Sequence, residues 1–162
     1  MSVRDTALGA IAPGDPVAAS TVNDGAGGLI GAAIRTTDSA STTTSETILT
    51  VAAVPINASR TILCQVQGTV QTGIPCHVFV GVSMDDVVSW QYPFWSPGTS
   101  ATPADVEKPV PFNFTVEFNP SAGTHDFGLV IGIADGSGAG IKSPCTGGGP
   151  AWIRVFDSAP SF

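Results

Sequence analysis

The chain has 162 residues, which suits a single domain, and a formal net charge of −7 at pH 7. Its six lysine and arginine residues are scattered along the sequence, so no basic patch is available to neutralise phosphates and we expect no nucleic-acid partner. Only 12% of residues are charged, against about 25% in ordinary soluble domains. Either neighbouring subunits cover much of the surface, or uncharged polar side chains solvate it.

The sequence contains neither a secretion signal nor a membrane span. Pro13 and Pro16 interrupt the apolar run near the N-terminus, and no run approaches the ~18 apolar residues that a membrane helix needs. We therefore expect a protein made in a cytoplasm, with no membrane partner. The chain has three cysteines, and an odd number argues against a disulfide framework. The cysteines and the two histidines form no CxxC or HxxxH pattern, so we expect no metal and no cofactor.

Residues 1–45 form the first predicted region. They are rich in glycine, alanine, serine and threonine, with short apolar islands at 7–12 and 29–34. Such a segment is either a disordered tail or an extended arm whose apolar residues dock on a neighbouring subunit. We favour the arm, with Leu29, Ile30 and Ile34 as partner contacts, and place a β-sandwich domain at residues 46–162.

Alternating apolar and polar residues predict strands from residue 46 onward, at 46–54, 60–71, 76–84 and 87–95. Asp85 and Asp86 separate the last two strands, and an adjacent acidic pair without further spaced oxygen ligands indicates a hairpin tip rather than a calcium site. The strand at 87–95 is the most aromatic. Its aromatic side chains either pack in the core, contact another subunit or form a platform on which sugar rings stack. These side chains are Trp90, Tyr92, Phe94 and Trp95.

The strongest alternation lies at residues 110–133. Two apolar runs flank a compact turn at 119–123, which predicts a β-hairpin that needs a facing sheet to bury its apolar side. After a glycine-rich loop, residues 151–157 alternate again and predict a closing strand. His125 adjoins Asp126, but neighbours on a strand point to opposite faces and no nucleophile motif accompanies them, so we expect no catalytic residue and no enzyme.

Seven or eight strands without an amphipathic helix indicate an all-β sandwich or barrel. We favour an antiparallel jelly-roll β-sandwich with an extended N-terminal arm over an immunoglobulin-like sandwich, because no Cys–Trp–Cys pattern occurs.

Four stretches carry a family resemblance: TTTSETILTVAAVPI, RTILCQVQGTV, PSAGTHDFGLVIGI and GGPAWIRVFD. With these, residues 43–157 resemble the small jelly-roll virion proteins of tailed bacteriophages, which are similar in outline to tumour necrosis factor and C1q domains. The resemblance implies a homotrimer that serves as a capsid decoration (cement) protein, head fibre or tail-tip module. Its N-terminal arm would attach to the lattice of the major capsid protein or to a neighbouring trimer. The resemblance also implies a virion location. The alternative is a receptor-binding or glycan-binding β-sandwich module of a tail or fibre.

Overall fold

The computed structural model describes residues 28–72, 77–95, 109–133, 141–144 and 148–158, and for residues 89–95 and 141–142 it describes the backbone alone. Nine β-strands and no helix occur in these ranges, so no helix there could cross a membrane. The strands are β1 (Gly28–Arg35), β2 (Glu46–Ile56), β3 (Ile62–Thr72), β4 (His77–Met84), β5 (Val87–Trp95), β6 (Val110–Phe118), β7 (Gly123–Ile133), β8 (Ile141–Lys142) and β9 (Ala151–Asp157).

Two antiparallel sheets face each other. The first sheet has the order β1-β9-β3-β6, with β8 pairing with the end of β3, and the second has the order β2-β7-β4-β5. Alternate residues of both sheets fill the space between them, as the period of two requires. The largest fully buried side chains include Phe127, Ile62, Leu129, Ile131 and Ile153. The all-β prediction is therefore confirmed, with two antiparallel sheets.

The hairpin predicted at residues 110–133 is wrong in its pairing, although both of its strands form. β6 pairs with β3 in the first sheet, whereas β7 pairs with β2 and β4 in the second. The connection between β6 and β7 therefore crosses from one sheet to the other, over the ~10 Å that separates packed sheets. The apolar sides of the two strands meet face to face, and the rings of Phe118 and Phe127 pack edge to face at 5.7 Å between centroids.

The sandwich begins earlier than residue 46. Residues 28–35, which the sequence assigns to an arm, form strand β1 and pair with β9 throughout. Ile30 and Ala33 pack against the core, so burial of these side chains adds to the backbone pairing that holds β1 in the sheet. Residues 1–27 lie outside the described residues, and the arm prediction stays a prediction for them.

Candidate interaction surface

The outer face of the first sheet carries an apolar patch. Ala151, Ile153 and Val155 of β9 are fully buried in the core, so the residues between them point away from it. On this outer face, strand pairing sets Ile34 beside Trp152. It also sets Phe156 between Leu29 of β1 and Leu63 of β3. We call this group the outer patch: Leu29, Ile34, Leu63, Trp152 and Phe156.

Two side chains of the outer patch are exposed to an unusual degree for their type. Ile34 is 63% and Leu29 is 46% exposed, while Leu63, Trp152 and Phe156 are half-buried. A shallow pocket of about 210 Å³ lies between residues 32–34 and residues 152–154. Arg154 lies between the Ile34–Trp152 end of the patch and the end formed by Leu29 and Phe156. Exposed apolar side chains grouped on one face of a folded domain are typical of a contact site for another macromolecule.

Charge is sparse on this face. Among the outward-facing residues of β1, β9, β3 and β6, the charged ones are Arg154 and Glu117, and Glu117 lies on the edge strand β6 directly opposite Leu63 of the outer patch. The guanidinium of Arg154 lies 4.4 Å from the centroid of the Trp152 ring, which it contacts as a cation on an aromatic face. The outer patch itself therefore contains no acidic side chain, although the chain as a whole carries a net charge of −7.

The polar half of the same face lies on β3 and β6. Gln67, Thr69 and Asn113 line an open groove of about 400 Å³ together with Pro111 and Pro150. These side chains are uncharged hydrogen-bonding groups. The outer face thus changes from mainly apolar at β1 and β9, where Arg154 is the charged residue, to mainly polar at β6, where Glu117 is the charged residue.

The three partner contacts predicted at Leu29, Ile30 and Ile34 lie on different faces of β1 in the structure. Leu29 and Ile34 belong to the outer patch, whereas Ile30 packs against the core. Ile30 points inward because adjacent residues of a strand alternate between its faces. The bulge between Leu29 and Gly31 shifts this alternation by one residue, so that Leu29 and Ile34, five residues apart, share the outer face. Gly31 permits the bulge to lie close to β2, since a Cβ there would meet Val51 Cγ1 at 2.5 Å.

The four aromatic candidates Trp90, Tyr92, Phe94 and Trp95 lie on β5, an edge strand of the second sheet. Their backbone pairs with β4, opposite Val82, Val80, Val78 and His77 respectively. Their side chains lie outside the described residues, so their assignment to core, partner contact or sugar platform stays a prediction.

Sequence reasoning missed the β9 half of the outer patch. The closing strand carries large apolar residues on both faces, Ile153 and Val155 inward and Trp152 and Phe156 outward. A strand with large apolar residues at both odd and even positions indicates that both of its faces are covered. That signal was present in AWIRVFD. Elsewhere in the described chain, no three histidine, cysteine or acidic side chains come together as a metal site.

Comparisons with known proteins add little. No protein-family model matches the chain, and no curated protein matches it. Among solved structures, one match is a chain in the structure of infectious bursal disease virus Gx strain, with a TM-score of 0.26 and 13% sequence identity. The match covers 86% of this chain and 42% of the viral chain, so the present chain spans less than half the length of that relative. At this level of similarity the match establishes no shared function.

Proposed function

We propose that this chain is a non-enzymatic structural virion protein that decorates a bacteriophage capsid as a homotrimer. The observation that carries the proposal is the outer patch: exposed apolar side chains with a single acidic neighbour, Glu117, on a chain whose net charge is −7. Copies of an acidic protein repel one another, and the repulsion is weakest where their acids are fewest. A second copy of the chain is therefore the partner that this face fits best.

The jelly-roll assignment is part of the proposal, and the strand order supports it. With the short β8 set aside, the pairs β1 with β9, β2 with β7, β3 with β6 and β4 with β5 are nested one inside the next. Such nesting arises when one long antiparallel ribbon is folded over into two facing sheets. Jelly rolls have eight strands in two sheets and are common in viral capsid domains.

The energetics of the outer patch are compatible with a subunit contact. Complete burial of a leucine or isoleucine side chain contributes roughly 1.5–3 kcal/mol, so covering the exposed half of Leu29 or Ile34 adds about 1 kcal/mol each. Both sides of a contact between copies gain in this way. We assign attachment to the major capsid protein to residues 1–27, which lead directly into β1 beside the outer patch.

Light scattering across a dilution series tests the trimer. We expect a mass near three times 16.4 kDa for the wild type, and a fall toward 16.4 kDa on dilution of the double variant Leu29→Ser, Ile34→Ser. Val87→Ser is the matched control, because Val87 is 67% exposed but lies on the second sheet. An unchanged mass in the patch variant, or an equal loss in the control, would refute the outer patch as the subunit contact.

Co-sedimentation with undecorated phage heads tests the capsid role separately. The wild type is expected to saturate the heads, and a chain that starts at residue 28 is expected to stay in the supernatant. If neither chain binds heads, the decoration role is wrong. The receptor-binding or glycan-binding alternative then becomes the leading hypothesis, and a screen of sugars against wild type and Trp90→Ala tests it.

A further inference from the structure

Two connections meet at one end of the second sheet and are held together by His125. Its Nδ1 lies 2.7 Å from Oδ2 of Asp85, in the turn between β4 and β5. Its Nε2 lies 3.0 Å from the backbone carbonyl oxygen of Ser121, in the connection between β6 and β7. The imidazole is 11% exposed and the Asp85 side chain 49% exposed. One ring therefore joins two segments that are 36 residues apart in sequence.

The chemistry of these contacts fixes the charge of the ring. A neutral imidazole has one N–H donor and one acceptor nitrogen. Both partners of His125 are acceptors, since a carbonyl oxygen cannot donate and an ionised carboxylate cannot either. Only the imidazolium, which carries two N–H groups, makes both hydrogen bonds at once. The conformation of this end of the sheet is thus that of a protonated histidine.

Further hydrogen bonds extend the network to the bulge of β2. The amide of Asp126 donates to Oδ1 of Asp85 at 2.9 Å, and the amide of Asp85 donates to the carbonyl oxygen of Asp126 at 2.9 Å. Oδ1 of Asp126 accepts from the amide of Ala53 at 2.7 Å. Asp85 and Asp86 have φ of 50° and 64°, which aspartate adopts in tight hairpin turns, whereas Ala53 has a φ of 56°, which is costly for a residue with a Cβ and without a polar side chain. The hydrogen bond from its amide to Asp126 therefore holds Ala53 in a strained conformation.

The charged groups around His125 are carboxylates. Asp85 faces it from the β4–β5 turn, Asp86 follows Asp85 in the same turn, and Asp126 follows His125 on β7. On β2, the residue opposite His125 is the uncharged Val54. Hydrogen bonding to Asp85, then to the Ser121 carbonyl, raises the pKa of His125 above its ordinary value, and partial burial opposes the rise. The bond from His125, then the one from the Asp126 amide, lowers the pKa of Asp85.

We propose that His125 is a pH-sensitive lock, which ties the β4–β5 turn to the β6–β7 connection when protonated and, with only one N–H left after it loses its proton, holds no more than one of them. Because the folded pKa of His125 is raised, its contribution to stability is complete below the unfolded value of about 6.5 and is lost as pH rises through the folded pKa. Because the folded pKa of Asp85 is lowered, its contribution is complete above about 3.9 and is lost as pH falls through the folded pKa. The lock is therefore closed in mildly acidic solution and opens on the alkaline side.

NMR on the full-length protein tests the lock. The His125 ring signals, assigned with a His125→Gln variant, are expected to titrate above the ordinary value, and Asp85→Asn is expected to shift that midpoint downward. Hydrogen exchange supplies the second measurement. Amide protection of Ala53 and Asp126, corrected for the intrinsic pH dependence of exchange, is expected to fall as His125 titrates, while that of Val66 in the core stays constant.

Two results would overturn the proposal. One is a His125 midpoint at or below the ordinary value, because the imidazolium would then not be favoured by its contacts. The other is a raised midpoint with unchanged protection of the Ala53 and Asp126 amides across the titration, because the ring would then titrate without releasing either segment. In His125→Gln, protection of these amides is expected to lose its pH dependence, and a pH dependence equal to that of the wild type also counts against the lock.

Discussion

Substitution of Ala53 by glycine is expected to relieve a backbone strain that no contact in the sandwich removes. Ala53 lies in the bulge of β2 between Val51 and Val54, is exposed, and has a φ of 56°. Its neighbour Ala52 is also exposed and does not have a positive φ. The two alanines thus share their chemistry, their strand and their solvent exposure, and they differ in backbone conformation.

The magnitude follows from two opposing effects. A left-handed conformation costs a residue with a Cβ about 1–2 kcal/mol, and glycine avoids this cost. Glycine also makes the unfolded chain more flexible, which lowers stability by about 0.4–1 kcal/mol at either position. The second effect cancels when the two variants are compared. Ala53→Gly should therefore be more stable than Ala52→Gly by about 1–2 kcal/mol, and equal to or slightly more stable than the wild type.

Equilibrium unfolding in urea measures this difference, with the free energy of unfolding taken from the midpoint at constant slope. In a thermal scan the same difference corresponds to a separation of the two melting temperatures of roughly 2–8 °C. Equal losses of stability in Ala53→Gly and Ala52→Gly would refute the reasoning, because the strain at Ala53 would then contribute nothing.

Two further predictions concern the first sheet. Arg60 makes a bidentate ion pair with Asp157 at 2.7–2.8 Å, with both side chains mostly buried. Arg60→Gln should lower the free energy of unfolding by about 2 kcal/mol, which is less than the loss of a partner from a fully buried ion pair would cost. A double-mutant cycle with Asp157→Asn should show coupling between the two residues, and additive losses would contradict the ion pair's contribution. Burial raises the pKa of the Cys64 thiol to about 12. Cys64 should therefore resist alkylation in the native protein and react on unfolding, as mass spectrometry of the labelled peptide would show; rapid native labelling would be inconsistent with this burial.

Local alternation predicts strands well but contains no information on which strands pair. The last strand was expected at residues 151–157 and is found at Ala151–Asp157, and the strand expected at 60–71 is found at Ile62–Thr72. The pairing of β6 with β7 was predicted because a turn separates two strong alternating runs. The same pattern suits two strands on opposite sheets whose apolar sides face each other, as those of Phe118 and Phe127 do.

Contacts between residues distant in sequence account for the other differences between the predictions from sequence and the structure. β1 was not recognised as a strand because its bulge at Leu29–Gly31 breaks the period of two and glycine and alanine dilute the apolar signal. His125 was considered only with its neighbour Asp126, whereas its carboxylate partner Asp85 lies 40 residues earlier in the chain. The turn at Asp85 was predicted, but the role of its side chain depends on a tertiary contact that no local pattern encodes.

The position of β9 between β1 and β3 has a consequence for how the protein folds. Gly28 pairs with Asp157 and Arg35 with Ala151. The hydrogen bonds of β1 in the first sheet can therefore form only after a strand more than a hundred residues further along the chain has been made. Closing loops of this length makes folding slow, and a ribosome produces β1 long before its partner. During synthesis the polypeptide therefore displays an unpaired, apolar β1 to the cell. We therefore expect the yield of folded protein to depend on chaperones and on the rate of translation, as a consequence of this strand order.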